Sequence, residues 1–144
     1  MVAYADTSFL FSLYGNDANS PQARSIGDAL EAPFAFTPLH RHELRNAFRL
    51  AVFRRVMIPA RCQAVLAEIE ADIRTGALVE TPVAWAEVYA EAEALSAAHT
   101  ATLGTRGFDV LHVAAAAALG ARDFHTFDTR QKALAVKAGM KVTP

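Results

Sequence analysis

Val2-Ala3-Tyr4-Ala5-Asp6-Thr7-Ser8 is the stretch on which the fold turns. Val2 to Ala5 is short, apolar and bounded by polar residues, which suits a buried strand of a parallel sheet. An acid and two hydroxyls follow at once. In an open α/β sheet, ligands bind beyond the carboxyl ends of the strands, so Asp6 stands where chemistry is expected. Thr7 or Ser8 can cap the next helix. A carboxylate leaving a buried strand is costly to desolvate unless donors or a cation face it. The plainer alternative is that Asp6 only caps a helix from Ser8 to Tyr14. Asp6 alone supports either role, and the rest of the chain decides.

The sequence has 144 residues, is 53% apolar and 20% charged, and carries a net charge of −1. That composition describes one globular domain, residues 1–144, with a real core. No apolar run approaches the length of a membrane span, and no basic leader precedes the first strand. The single cysteine, Cys62, excludes an internal disulfide and a cysteine-rich metal site. It is read as a buried, idle thiol. A cytoplasmic protein is the expectation.

Working outward, Ser20-Pro21 opens a helix to about Glu31. Pro33 to Pro38 brackets a second strand, and a long helix runs from Pro38 to Arg55. Ile58-Pro59 breaks it, and another helix reaches Arg74. Ala77 to Glu80 is a third strand. Pro82 opens a helix to Thr100, and Leu103 to Gly107 forms a loop. An alanine-rich helix spans Phe108 to Leu119, a fourth strand Asp123 to Phe127, a helix Thr129 to Ala138, and a last strand Met140 to Val142. Short strands alternating with helices predict an α/β fold, a parallel sheet with helices on both faces.

In such a sheet a helix following a strand begins at the carboxyl edge, and so does a helix that leads into a strand. Four acids map to that edge. Asp6 ends the first strand and Asp128 follows the fourth. Asp109 lies in the first turn of the helix feeding the fourth strand, and Glu43 near the second turn of the helix after the second strand. Asp123 is excluded, because five residues of strand at about 3.3 Å each place it roughly 16 Å away. Each acid has its own plain alternative: Asp109 favours a helix dipole, Asp128 caps a helix, Glu43 sits on the surface. Four on one edge is less readily a coincidence, since crowded carboxylates repel and raise each other's pKa. A hard cation, Mg²⁺ or Mn²⁺, removes that conflict with all-oxygen ligands.

The stretches Tyr4 to Ser8, His42-Glu43-Leu44-Arg45-Asn46-Ala47, Gly107-Phe108-Asp109-Val110-Leu111-His112 and Thr126-Phe127-Asp128-Thr129-Arg130-Gln131 occur in that order. At these residues the chain resembles the PIN-domain family of metal-dependent ribonucleases, and within it the VapC-like toxins of toxin–antitoxin pairs. The resemblance implies a PIN-like sheet of order 3-2-1-4-5, RNA cleavage with Mg²⁺ or Mn²⁺, a homodimer and a small antitoxin partner. Asp6, Glu43, Asp109 and Asp128 match the metal-holding and catalytic acids. Thr7, Ser8 and Thr126 match supporting hydroxyl positions. Phe127 departs from the polar residue many relatives carry there, which bears on substrate choice.

Between residues 41 and 61 there are six arginines and one acid, Glu43. Arg41, Arg45 and Arg49 recur as one helix stripe, a track for an RNA backbone or an acidic antitoxin segment. The alternatives are a solvated face and pairing with Glu80 or Glu91. His112, three residues after Asp109, is read as a core histidine held by a backbone carbonyl, with substrate contact as the alternative. His40, His42 and His125 lack zinc-site spacing. Trp85 and Tyr89 are read as core or dimer contacts, with base-stacking as the alternative. The rivals are a phosphatase-like phosphoryl enzyme, which would want a second Asp at position 8, where Ser8 stands, and a non-catalytic binding module on the same fold.

Overall fold

The computed structural model describes residues 2–144. In chain order the elements are β1 (Tyr4–Ala5), α1 (Thr7–Tyr14), α2 (Ser20–Ala29), β2 (Phe34–Phe36), α3 (Pro38–Phe53), α4 (Pro59–Thr75), β3 (Leu78–Glu80), α5 (Trp85–Leu95), a π-helical turn (Ser96–Thr100), α6 (Ala101–Leu103), α7 (Gly107–Ala118), β4 (Asp123–His125), α8 (Thr129–Lys137) and β5 (Lys141–Thr143). They fall into two compact units. One joins the chain up to Asp6 with Pro82–Pro144, and the other is Thr7–Thr81.

In the first unit the strands run in parallel in the order β1-β4-β5. Tyr4 registers with Phe124 and Ala5 with His125. Both residues of β1 are fully buried, as an uninterrupted apolar run requires. The Tyr4 ring stacks on Phe124 with centroids 5.6 Å apart, and its hydroxyl reaches His112 Nδ1 at 2.8 Å. His112 is therefore the expected core histidine, and a tyrosine hydroxyl is one of its partners. Ala114, Ala115 and Ala116 of α7 are buried, and small side chains let α5 pack closely against the helix.

In the second unit β2 pairs in parallel with β3, Phe34 to Leu78 through Phe36 to Glu80. Phe9 tilts against Phe34 with ring centroids 5.8 Å apart, and Phe11 stacks on Phe48 at 4.6 Å. Gly15 closes α1 where a Cβ would meet the Phe11 carbonyl oxygen at 2.6 Å, so no larger residue fits without a shift. α3 opens with a reciprocal cap: Thr37 Oγ1 accepts from the His40 amide, and the Thr37 amide donates to His40 Nδ1 at 3.0 Å. His40 is thus a capping residue. Tyr14 donates to Asp72 Oδ2 at 2.5 Å, and burial followed by that bond pushes its phenol far above the ordinary range.

The α/β class and the parallel pairing agree with the sequence reading. The two hydrogen-bonded ladders, 1-4-5 and 2-3, are both runs of the expected order 3-2-1-4-5. Among the described residues one is a three-stranded and the other a two-stranded sheet, and β1 contributes only two residues, Tyr4 and Ala5. The helix expected to open at Pro82 starts at Trp85, because its first carbonyl acceptor is that of Ala84. It continues past Thr100 to Leu103, ending at Gly104 with φ of 69°. Tyr89 is 61% exposed and so lies outside the core. Cys62 is buried and free, as expected. Among the described residues no helix is long and apolar enough to cross a membrane.

His125 on β4 is buried. Burial pushes its pKa below the ordinary 6.5, against the opposing pull of a Thr143 backbone hydrogen bond and the Asp123 charge. A lowered folded-state pKa means the unfolded chain takes up the proton first as pH falls. This contribution to stability is complete above the unfolded value and is lost as pH drops from about 6.5 toward the folded value. Urea unfolding between about pH 7 and pH 5 is expected to show a midpoint that falls more steeply in the wild type than in His125→Gln. Equal slopes for the two proteins would contradict it.

Candidate functional site

Asp6 extends the β1 ladder by donating its amide to the His125 carbonyl at 3.0 Å. It is 4% exposed, so its carboxylate needs donors to offset desolvation. Thr126, fully buried just past β4, donates its hydroxyl to Asp6 Oδ2 at 2.8 Å. The same Oγ1 accepts the Asp128 amide at 3.0 Å and lies 2.9 Å from Gln131 Oε1. A hydroxyl has one proton to give, and a charged acceptor makes the stronger bond, so Asp6 holds the first claim on it.

Asp128 caps α8, with Oδ1 accepting the Gln131 amide at 2.9 Å. The capping alternative weighed for this acid is therefore correct, and it occupies only one of the two carboxylate oxygens. Gln131 is fully buried and extends its Nε2 to the Asp109 carbonyl at 3.2 Å. One glutamine thus ties the first turn of α8 to the first turn of α7. Asp109 and Asp128 both sit at helix N-termini, where the macrodipole favours negative charge.

The two acids share a cation. Arg106 Nε lies 3.2 Å from Asp109 Oδ2, and Arg106 Nη2 lies 3.9 Å from Asp128 Oδ2. A guanidinium between two carboxylates stands in for any other positive charge there, so the oxygen donors suit a hard ion. Among the described residues, no three His, Cys, Asp or Glu side chains gather as a ligand set. What converges in this unit is an acid pair around Arg106, with Asp6 fixed separately by Thr126.

In the other unit Glu43 is half-buried on α3, and Thr7 at the start of α1 donates to its Oε1 at 3.0 Å. Thr7 thereby anchors an acid, and Ser8 is exposed on the same helix. The arginine stripe divides. Arg41 pairs with Glu70 at 2.8 Å and Glu80 at 3.1 Å, and Arg45 pairs with Glu70 at 2.8 Å. Bonding to Arg41 holds the Glu70 carboxyl below its usual range. Arg49, Arg54 and Arg55 are exposed and make no ion pair among the described residues. Pairing with Glu80, one of the alternatives weighed for the stripe, thus accounts for Arg41.

Gln131 and Arg106 were not singled out in the sequence. Gln131 was legible as the third helical residue after an Asp cap, a capping-box position. Arg106 lies three residues before Asp109, a spacing that brings opposite charges together at a helix start.

A family model described as the PIN domain matches residues 3–137, a span that holds all four motifs. No curated protein matches the chain.

Thr126→Val removes the hydroxyl at nearly constant volume. It leaves Asp6 Oδ2 and the Asp128 amide each without this bond. The variant is expected to lose about 1–3 kcal/mol of stability in chemical denaturation, while Thr126→Ser retains most of it. A Thr126→Val midpoint equal to that of the wild type would remove the hydroxyl from its anchoring role.

Proposed function

Because the chain belongs to the PIN domain family, we propose that it is a metal-dependent endoribonuclease, the VapC-like toxin of a toxin–antitoxin pair. PIN domains are generally nucleases that use divalent metal ions. The observation that carries the proposal is the pair Asp109 and Asp128, fixed on two helix N-termini and drawn around one cation.

In this proposal Asp6, Asp109, Asp128 and Glu43 hold Mg²⁺ or Mn²⁺. Glu43 is included through its motif, His42 to Ala47. When bound, the ion lowers the pKa of a water and neutralises charge on the phosphoryl group. The chain's own residues do the positioning. Thr126 fixes the orientation of Asp6, Gln131 fixes the two helix starts relative to each other, and Asp128 keeps Oδ2 outside its cap bond. Such fixed oxygens lose little freedom when an ion arrives, which favours affinity. RNA is the proposed substrate, with backbone contact from the exposed Arg49 and from Arg41 and Arg45 where their carboxylate partners give way. A small antitoxin and a second copy of the chain are the proposed partners.

An RNA cleavage assay with Mn²⁺, with and without EDTA, tests this. Cleavage is expected only with the ion. Asp6→Asn is expected to reduce it by more than about a hundredfold, since even outer-shell partners of metal sites are worth about 10–100-fold. Mn²⁺ at a hundredfold excess over its dissociation constant should stabilise the wild type by about 2.7 kcal/mol in thermal unfolding. The gain should be smaller in Asp128→Asn. Full cleavage by folded Asp6→Asn, or cleavage that ignores EDTA, would contradict the proposal.

A further inference from the structure

We propose that Arg106 is a displaceable cation of this site: it holds Asp109 and Asp128 together before a divalent ion binds, then turns to a phosphate of the substrate. The proposal rests on the nuclease function above and adds a residue to it.

Arg106 is the N-cap residue of α7, in extended conformation with φ of −87° and ψ of 160°. Local preference runs against it. Ser, Thr, Asp and Asn dominate N-caps, and a cation at a helix N-terminus lies at the unfavourable end of the dipole. Arg106 also makes no side-chain cap bond. A residue that breaks a local rule marks a place where function sets the choice. Its guanidinium contacts the two acids through different nitrogens, at 3.2 Å and 3.9 Å.

The three members of this cluster differ in freedom. The Asp109 side chain is 19% exposed and that of Asp128 is 31% exposed, whereas that of Arg106 is 78% exposed. Gln131 holds the Asp109 backbone, and the Asp128 side chain is committed to its cap. The acids are placed by the fold, and the arginine is the member able to leave. An exposed ion pair of this kind is weak, so a divalent ion competing for the same oxygens displaces it readily. Without Arg106, two carboxylates at adjoining helix starts would repel each other in the metal-free protein. Once released, the guanidinium remains beside the acids, and its planar fork suits phosphate oxygens in two-point contact.

The test compares wild type, Arg106→Gln and Arg106→Lys by Mn²⁺ titration of thermal unfolding and by RNA cleavage at saturating Mn²⁺. Arg106 is exposed, so its variants are expected to fold. Arg106→Gln should bind Mn²⁺ several-fold more tightly, because its competitor is gone, and cleave RNA at least tenfold more slowly. Arg106→Lys should keep the wild-type Mn²⁺ midpoint and lose part of the cleavage. If wild type responds to Mn²⁺ but Arg106→Gln matches it in either readout, this proposal is overturned and the nuclease function stands. If wild type shows neither an Mn²⁺ response nor cleavage, both fall together.

Discussion

The bond from the Thr126 hydroxyl to the Asp6 carboxylate is the constraint on which the site depends. It joins residues 120 positions apart, at 2.8 Å, in a place with almost no water. Placing a carboxylate there is costly without a donor, and the ladder alone supplies only a backbone contact for the Asp6 amide. The same oxygen receives the Asp128 amide, so the turn leaving β4 cannot move without disturbing Asp6. Through Gln131 the constraint extends to the Asp109 carbonyl. One hydroxyl and one amide side chain thus set the placement of three acids.

Such a placement carries an electrostatic cost, and different features offset it at each acid. Asp109 and Asp128 lie at helix N-termini, where backbone amides face them. Arg106 adds a positive charge between them. Glu43, in the other unit, takes a hydroxyl from Thr7. Arg106 is exposed and movable, whereas the Thr126 hydroxyl and the Gln131 amide that caps onto Asp128 are held by the fold. That division suits a site whose oxygens must be in position before a ligand comes and yet be free to receive it.

The basic surface of the Thr7–Thr81 unit shows how composition and structure part company. Six arginines against one acid over residues 41–61 suggested a continuous track. Glu70 and Glu80 lie outside that window in sequence, yet they neutralise Arg41 and Arg45 in space. Among the described residues, the arginines of this window that make no ion pair are therefore Arg49, Arg54 and Arg55, toward the end of α3. Exposed Phe53, Val56 and Ile58 accompany them. Pairing across elements, rather than the local charge count, decides which arginines remain available.

The sequence did not mark the π-helical turn or α6, but by itself it determined the α/β class, the order of the strands and main helices along the chain and the position of each acid on its element. These follow from local causes: apolar runs of strand length, prolines at helix starts, glycines at helix ends, and Asp128 ahead of a helix. It also marked Thr126, though only through a resemblance. The boundaries shifted where hydrogen bonding overrode the proline signal, as at Pro82, which lies before the first helical carbonyl. The tertiary structure alone decided the partners: Tyr4 for His112, Thr126 for Asp6, Glu70 for Arg41 and Arg45, and Arg106 between Asp109 and Asp128. Most of these contacts join residues far apart in sequence, and even Arg106 reaches Asp128 only because α7 and α8 are brought together. Periodicity and capping rules act over a single turn or strand. A hydrogen bond between distant residues is set by how whole elements pack, and no local pattern in the chain encodes it.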